Sequence, residues 1–326
     1  MLVAIVLLVL GLLLLAYGAD RLVFSASILC RSLGIPPLII GMTVVGIGTS
    51  LPEIILSLSA ANHGQRDFAV GIAVGSNITN ILLILGGAAL LNPLKISSAL
   101  LRRELPLMLL VTLLCGLLLA DNLLTRTEGI CLVVMAILYL WGIIRIAGKS
   151  QATTGDQLSR EQVAELPGED AGNTVAFLWL GVALVLLPVA TRMILDNAVV
   201  VGDYLGISEL VMALIFISIG TSLPELATVI AGTLKGEGDI AVGNLLGANI
   251  YNTAIVLGLP AIVCPGRIDS NAFSRDYWIM LGVSTVFAMI CLKKNRTIGR
   301  LTGALLLGGF FVWVAILWGY PMINDL

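Results

Sequence analysis

The sequence predicts an all-α membrane protein whose ten transmembrane helices form two inverted five-helix repeats. Three observations carry that expectation. Of 326 residues, 58% are hydrophobic and only 12% charged, with a mean hydropathy of +1.04, whereas a soluble domain carries about 25% charged residues. Apolar stretches able to span ~30 Å of hydrocarbon recur ten times. The chain also repeats itself at an offset of 172 residues. This composition excludes a cytosolic enzyme and a disordered chain, and a formal charge of −2 gives no reason to expect a nucleic-acid partner.

In chain order the apolar stretches fall near 2–30, 37–60, 69–91, 105–120, 129–147, 174–200, 208–233, 240–263, 276–292 and 299–319. No Lys or Arg precedes the first run and no small-residue cleavage site follows it, so it reads as a span rather than a leader. Residues 148–173 are polar and too few to fold alone, which makes them a linker between 1–147 and 174–326. The five cysteines stand singly without metal-binding spacing and read as small packing residues. A single histidine, His63, removes His-based zinc chemistry.

The repeat is the strongest organising signal. LGIPPLIIGMTVVGIGTSLPE at 33–53 returns as LGISELVMALIFISIGTSLPE at 205–225, and AVGIAVGSNITNILLILG at 69–86 aligns with AVGNLLGANIYNTAIVLG at 241–258. Five spans is an odd number, so the second copy enters the membrane from the opposite side. With the N-terminus outside, cytoplasmic segments hold twelve Lys or Arg and outer segments four (Arg66, Arg126, Arg267, Arg275), while Arg21 and Arg192 stay unassigned. Both termini are therefore expected in the periplasm and residues 148–173 in the cytoplasm. Inverted repeats are frequent in secondary transporters.

Glu53 and Glu225 occupy equivalent mid-span positions. A carboxylate at the bilayer centre costs at least ~2.5 kcal/mol by insertion scales, so it marks a functional site. Pro52 and Pro224 each lack an N–H and free a carbonyl near residues 48–49 and 220–221. Thr49, Ser50, Thr221 and Ser222 add hydroxyls beside those carbonyls. Ser76 and Asn80 share a helix face, and the amide oxygens of Asn80 and Asn252 can ligate a cation or bond the glutamates. Asn77 and Asn249 read either as further ligands or as interhelical glue, and the GxxxG glycines (Gly71, Gly75, Gly243, Gly247) as close-approach points. An all-oxygen set of this kind suits a hard cation such as Na⁺ or Ca²⁺.

Two GTSLPE motifs, each followed by G[SA]N-I-x-N, resemble the paired alpha-repeats of the sodium/calcium exchanger family within the cation/calcium exchanger superfamily. The resemblance covers essentially the whole chain and implies a ten-helix antiporter. By it, Glu53 and Glu225 clamp calcium together with the carbonyls of Thr49 and Thr221. It also implies outer sodium ligands at the Gly46 carbonyl, Ser50, Ser76 and Glu53, and inner ones at the Ser218 carbonyl, Thr221, Ser222 and Glu225. The chain departs from the family pattern at Ala248, where a serine is common, with the Ser218 hydroxyl nearby as a replacement. It departs again at Asn252, where some members carry aspartate. No segment is large enough for the regulatory domain of eukaryotic members.

The expected function is secondary antiport of Na⁺ against Ca²⁺ by alternating access, with the bilayer as solvent, no cofactor and no obligatory protein partner. Two carboxylates balance one Ca²⁺, whereas three Na⁺ leave one surplus charge, so a low-dielectric site takes one load or the other. A proton-coupled Ca²⁺ or Na⁺ antiporter is the nearest alternative, because a buried glutamate can carry a proton. A channel lacks an open polar ring, and an intramembrane hydrolase built on Ser50 or Ser222 lacks a His or Lys base. A scaffold has no use for midplane carboxylates. The absence of organelle signals and of large loops points to a prokaryotic inner membrane.

Overall fold

The computed structural model describes residues 1–32, 46–96, 98–150, 172–235, 238–292 and 297–324. The chain is almost wholly helical: α1 Leu2–Ser32, α2 Leu51–Asn62 preceded by the turn Gly46–Gly48, α3 Arg66–Leu91, α4 Ser98–Leu119 and α5 Arg126–Ser150. After the undescribed stretch 151–171 come α6 Asn173–Leu205 and α7, which runs Glu209–Thr221 and then, bent by 45°, Leu223–Lys235. Next are α8 from Gly238 to Val263, α9 from Ala272 to Cys291 and α10 Arg300–Asn324. Among the described residues five helices are by themselves long and apolar enough to cross a bilayer, and the bent α7 pair makes a sixth. The chain is an integral membrane protein.

Local chemistry sets the boundaries. Gly206 ends α6 in the left-handed region (φ +66°), donating its N–H to Asp203 O at 3.3 Å. Ser208 caps α7 by accepting the Val211 N–H at 3.3 Å. The helix expected from 105 instead starts at Ser98 and takes in Arg102, Arg103 and Glu104. Glu104 is buried there because the Tyr139 hydroxyl of α5 donates to its Oε2 at 2.6 Å. The expected linker 148–173 lies mostly outside the described residues, with α5 reaching Ser150 and α6 starting at Asn173. The first half of the GTSLPE-bearing stretch, 33–45, is also outside them.

Packing is dense at small residues. A Cβ on Gly11 would stand 2.9 Å from Ile194 Cγ1, and one on Gly18 2.8 Å from Leu187 Cδ2. Numbers rise along α1 as they fall along α6, so these repeat-equivalent helices run antiparallel. Gly71 and Gly75 of α3 meet Ala213 and Leu214 of α7, as the close-approach reading expects. A Cβ on Gly247 would meet, among the described residues, only the Tyr139 hydroxyl at 3.9 Å. Two short antiparallel ribbons join the copies: Leu94–Lys95 (β1) pairs with Thr297–Ile298 (β4), and Leu123–Leu124 (β2) with Gly266–Arg267 (β3). β1 and β3 are repeat images 172 residues apart.

Candidate cation site

The two glutamates stand just after breaks in their helices. In α2 the turn Gly46–Gly48 gives way to Thr49 and Ser50 before the helix restarts at Leu51 with Pro52 in its first turn. In α7 the break is at Ser222, and the helix restarts at Leu223, again with a proline, Pro224, in its first turn. Neither proline has an N–H to offer the carbonyl four residues back, Gly48 or Gly220. Glu53 and Glu225 are both 0% exposed, and no described ion pair involves either one.

The hydrogen bonds between the motifs run crosswise. Ser222 Oγ donates to Glu53 Oε1 at 3.0 Å, and Ser50 Oγ to Glu225 Oε1 at 3.3 Å. The family pattern groups each serine with the glutamate of its own half, whereas the bonds reach across. The hydroxyls of Thr221 and Ser76 also face Glu53, that of Thr49 faces Glu225, and the two carboxyls lie within electrostatic reach of one another. Among the described residues Glu53 Oε2, Glu225 Oε2, Thr49 Oγ1, Ser76 Oγ, Asn80 Oδ1 and Asn252 Oδ1 are buried oxygens without a hydrogen-bond partner. A buried unpartnered polar atom costs roughly 1–3 kcal/mol. Six oxygens, two of them on carboxylates, are of the kind that could hold a hard cation.

The asparagines sit where α3 and α8 change pitch. A π-helical turn begins at Asn80 (Asn80–Leu85) and another at its image Asn252 (Asn252–Val256). Such turns are frequent at functional sites. The first turn packs against the α7 segment carrying Glu225, and the second against α2, which carries Glu53. Asn80 Nδ2 donates to Asn249 Oδ1 at 3.0 Å, and Asn77 Nδ2 to Thr253 Oγ1 at 2.7 Å. Asn77 and Asn249 thus join the copies.

Several expected ligands also make bonds of their own. The Ser218 hydroxyl, the expected replacement for the serine missing at 248, has its hydrogen engaged and its oxygen lone pairs left to ligate. It donates to Leu214 O at 2.5 Å and lies 3.2 Å from Thr79 Oγ1, while its carbonyl accepts the Ser222 N–H at 3.2 Å. Thr221 Oγ1 is partly committed too, donating to Ile217 O at 3.1 Å. Gly46 lies in a turn that packs against α8. Thr79 and Thr253 escaped the sequence reading, since a threonine in an apolar helix carries no pattern. The doublets Arg103–Glu104 and Arg275–Asp276 did carry one, in the same 172-residue register. Both acids are buried, but neither is among the groups that face Glu53 or Glu225.

The family model described as sodium/calcium exchanger protein matches residues 3–145 and 175–319. Inner membrane protein YrbG of Escherichia coli is 60% identical over 326 residues, covering 100% of both chains. The putative antiporter CaxA of Alkalimonas amylolytica is 44% identical over 95% of this chain and 97% of its own. A solved structure of the sodium-calcium exchanger NCX_Mj, soaked with Na⁺ and Sr²⁺, aligns with a TM-score of 0.62 at 25% identity. It covers 96% of this chain and 98% of its own.

Proposed function

Because this chain belongs to the sodium/calcium exchanger family, we propose that it is a secondary antiporter exchanging Na⁺ for Ca²⁺ by alternating access. Its ten helices act as two inverted five-helix units, 1–147 and 174–326. The observation that carries this reading is the crossed pair Ser222–Glu53 and Ser50–Glu225, which fixes one oxygen of each carboxylate and leaves the other free and buried. Two such oxygens carry the charge that balances one Ca²⁺, with the carbonyls of Thr49 and Thr221 beside them. Sodium ions use Glu53 with the Gly46 carbonyl, Ser50 and Ser76, and Glu225 with the Ser218 carbonyl, Thr221 and Ser222. The Asn80 and Asn252 amide oxygens complete the set. Purified protein in sodium-loaded liposomes is expected to take up ⁴⁵Ca²⁺ when diluted into sodium-free buffer, and to release it when sodium returns outside. Uptake driven by a pH gradient and indifferent to sodium would replace this reading with proton coupling.

The asymmetry at Ser76 and Ala248 gives a finer test. Both positions are buried, but only Ser76 brings an oxygen, and that oxygen is unpartnered beside Glu53. One neutral oxygen contributes on the order of 1 kcal/mol, or about fivefold in affinity. Ala248→Ser is expected to strengthen sodium competition by about that factor and Ser76→Ala to weaken it, with calcium affinity changing much less. Sodium-competition curves of calcium uptake measure both. An unmoved curve for Ala248→Ser alone would take position 248 out of the sodium site.

The charge bias places 148–173 in the cytoplasm and both termini outside. A cysteine at Gln157 is expected to resist impermeant thiol reagents in intact cells, beyond the labelling of the parent chain, and to react after lysis. Labelling in intact cells would reverse the orientation.

A further inference from the structure

The 172-residue register maps Asn80 onto Asn252 and Asn249 onto Asn77. The bond from Asn80 Nδ2 to Asn249 Oδ1, at 3.0 Å, therefore has an image, from Asn252 Nδ2 to Asn77 Oδ1. Only the first is formed. Both atoms of the second, Asn252 Nδ2 and Asn77 Oδ1, are buried and lack a hydrogen-bond partner. They belong to neighbouring groups, since α3 packs on the turn 252–256 and Asn77 itself bonds Thr253, the residue next to Asn252. A matched donor and acceptor are thus both buried and unjoined on elements that pack together.

The bonding of Asn77 differs from that of its image. Thr253 Oγ1 gives its hydrogen to Asn249 O at 3.0 Å and so can only accept from Asn77, whose Nδ2 reaches it at 2.7 Å. That bond orients the Asn77 amide. The image of Thr253 is Ile81, which has no hydroxyl, so Asn249 Nδ2 keeps only the methionine contact that both asparagines share, Met108 Sδ at 3.9 Å against Met280 Sδ at 3.4 Å for Asn77. The asymmetry of the bonding follows from one asymmetric position.

Taking the alternating-access reading above as its basis, we infer that the two asparagine bonds are a reciprocal latch. Asn80–Asn249 closes in one access state, Asn252–Asn77 closes in the other, and Thr253 tilts the balance toward the first. When inverted repeats exchange conformations, each contact between the copies is replaced by its image. The bonds break and form as a pair, so neither state leaves both donors unjoined. Cores with two discrete packings switch in this way rather than deform continuously. The latch also acts on the site. A joined Asn80 presents only its oxygen, whereas an unjoined Asn252 has both amide atoms unengaged.

The test uses a cysteine at Ala248 in membrane vesicles of known orientation, free of Na⁺ and Ca²⁺. Its rate of reaction with an impermeant thiol reagent is measured from each face, above that of the parent chain, and the ratio of the two rates follows the balance of states. Thr253→Val removes the hydroxyl at constant shape, and Ile81→Thr supplies its image. Both are expected to move the ratio in the same direction, by about threefold each, the effect of one interhelical hydrogen bond in a membrane. Opposite shifts, or an unchanged ratio in both variants, would overturn the latch. Labelling from neither face would remove position 248 from the access path and overturn it equally. Because labelling needs no transported ion, absence of calcium flux in the same vesicles would count against the functional reading and not against the latch.

Discussion

Glu53→Gln and Glu225→Gln are each expected to abolish calcium exchange, by about a thousandfold or more, while the protein still inserts and folds. Both side chains are fully buried, and no described ion pair balances either charge. Unit charges 4 Å apart attract by about 4 kcal/mol at an effective dielectric of 20, and a divalent ion doubles that. Even half of that attraction, lost with one carboxylate, amounts to roughly three orders of magnitude in affinity. Glutamine keeps the shape and the oxygen that accepts from Ser222 or Ser50, so the cross-brace between the motifs survives. Uptake of ⁴⁵Ca²⁺ into liposomes carrying each variant, with size-exclusion profiles alongside, measures the effect. Near-normal uptake by either variant would remove that glutamate from the transported ion.

The next largest effect is expected from a single methyl group. In Gly75→Ala the new Cβ would stand 2.6 Å from Leu214 O and 2.8 Å from Leu214 Cα, both backbone atoms that cannot rotate away. Overpacking of this kind costs about 1–3 kcal/mol, occasionally more. Here it also forces α3 from α7 at the residue before Ser76, displacing that hydroxyl and Asn77 together. Most transport should be lost, and the melting temperature in detergent should fall by several degrees. Gly282→Ala on α9, where a Cβ meets nothing within 4 Å, is the matched control and is expected to be neutral. Equal behaviour of the two variants would show that the contact between α3 and α7 tolerates separation.

Much of the architecture was legible because the repeat is written in side chains that lipid makes expensive. Two carboxylates, two prolines and four hydroxyls in one register left few readings for Glu53, Glu225 and their neighbours. The linear repeat did not disclose which copy bonds which. Equivalence says that Ser50 corresponds to Ser222, but only folding reveals that Ser50 reaches Glu225 and Ser222 reaches Glu53. Nor did it show that Ser218 spends its hydroxyl on Leu214 and Thr79. The π-helical turns at Asn80 and Asn252 have no sequence signature, because an extra residue in a helical turn is set by tertiary packing. The early start of α4 was hidden for a related reason. Charges at a helix edge look like a boundary until a partner such as Tyr139 takes up the carboxylate.

The two backbone ribbons bear on how the protein is made. Neither copy of the repeat can complete its own edges: β1 waits for β4, and β2 waits for β3. While the first helices emerge and insert, Glu53 stands without Ser222 and the loops at Leu94 and Leu123 stand without partners. The polar centre can therefore close only after α7 and α8 have followed α2 and α3. Glu53 stays uncapped until α7 is made, whereas Glu225 meets a serine already in place, and the finished interior joins residues of both copies rather than of either one alone.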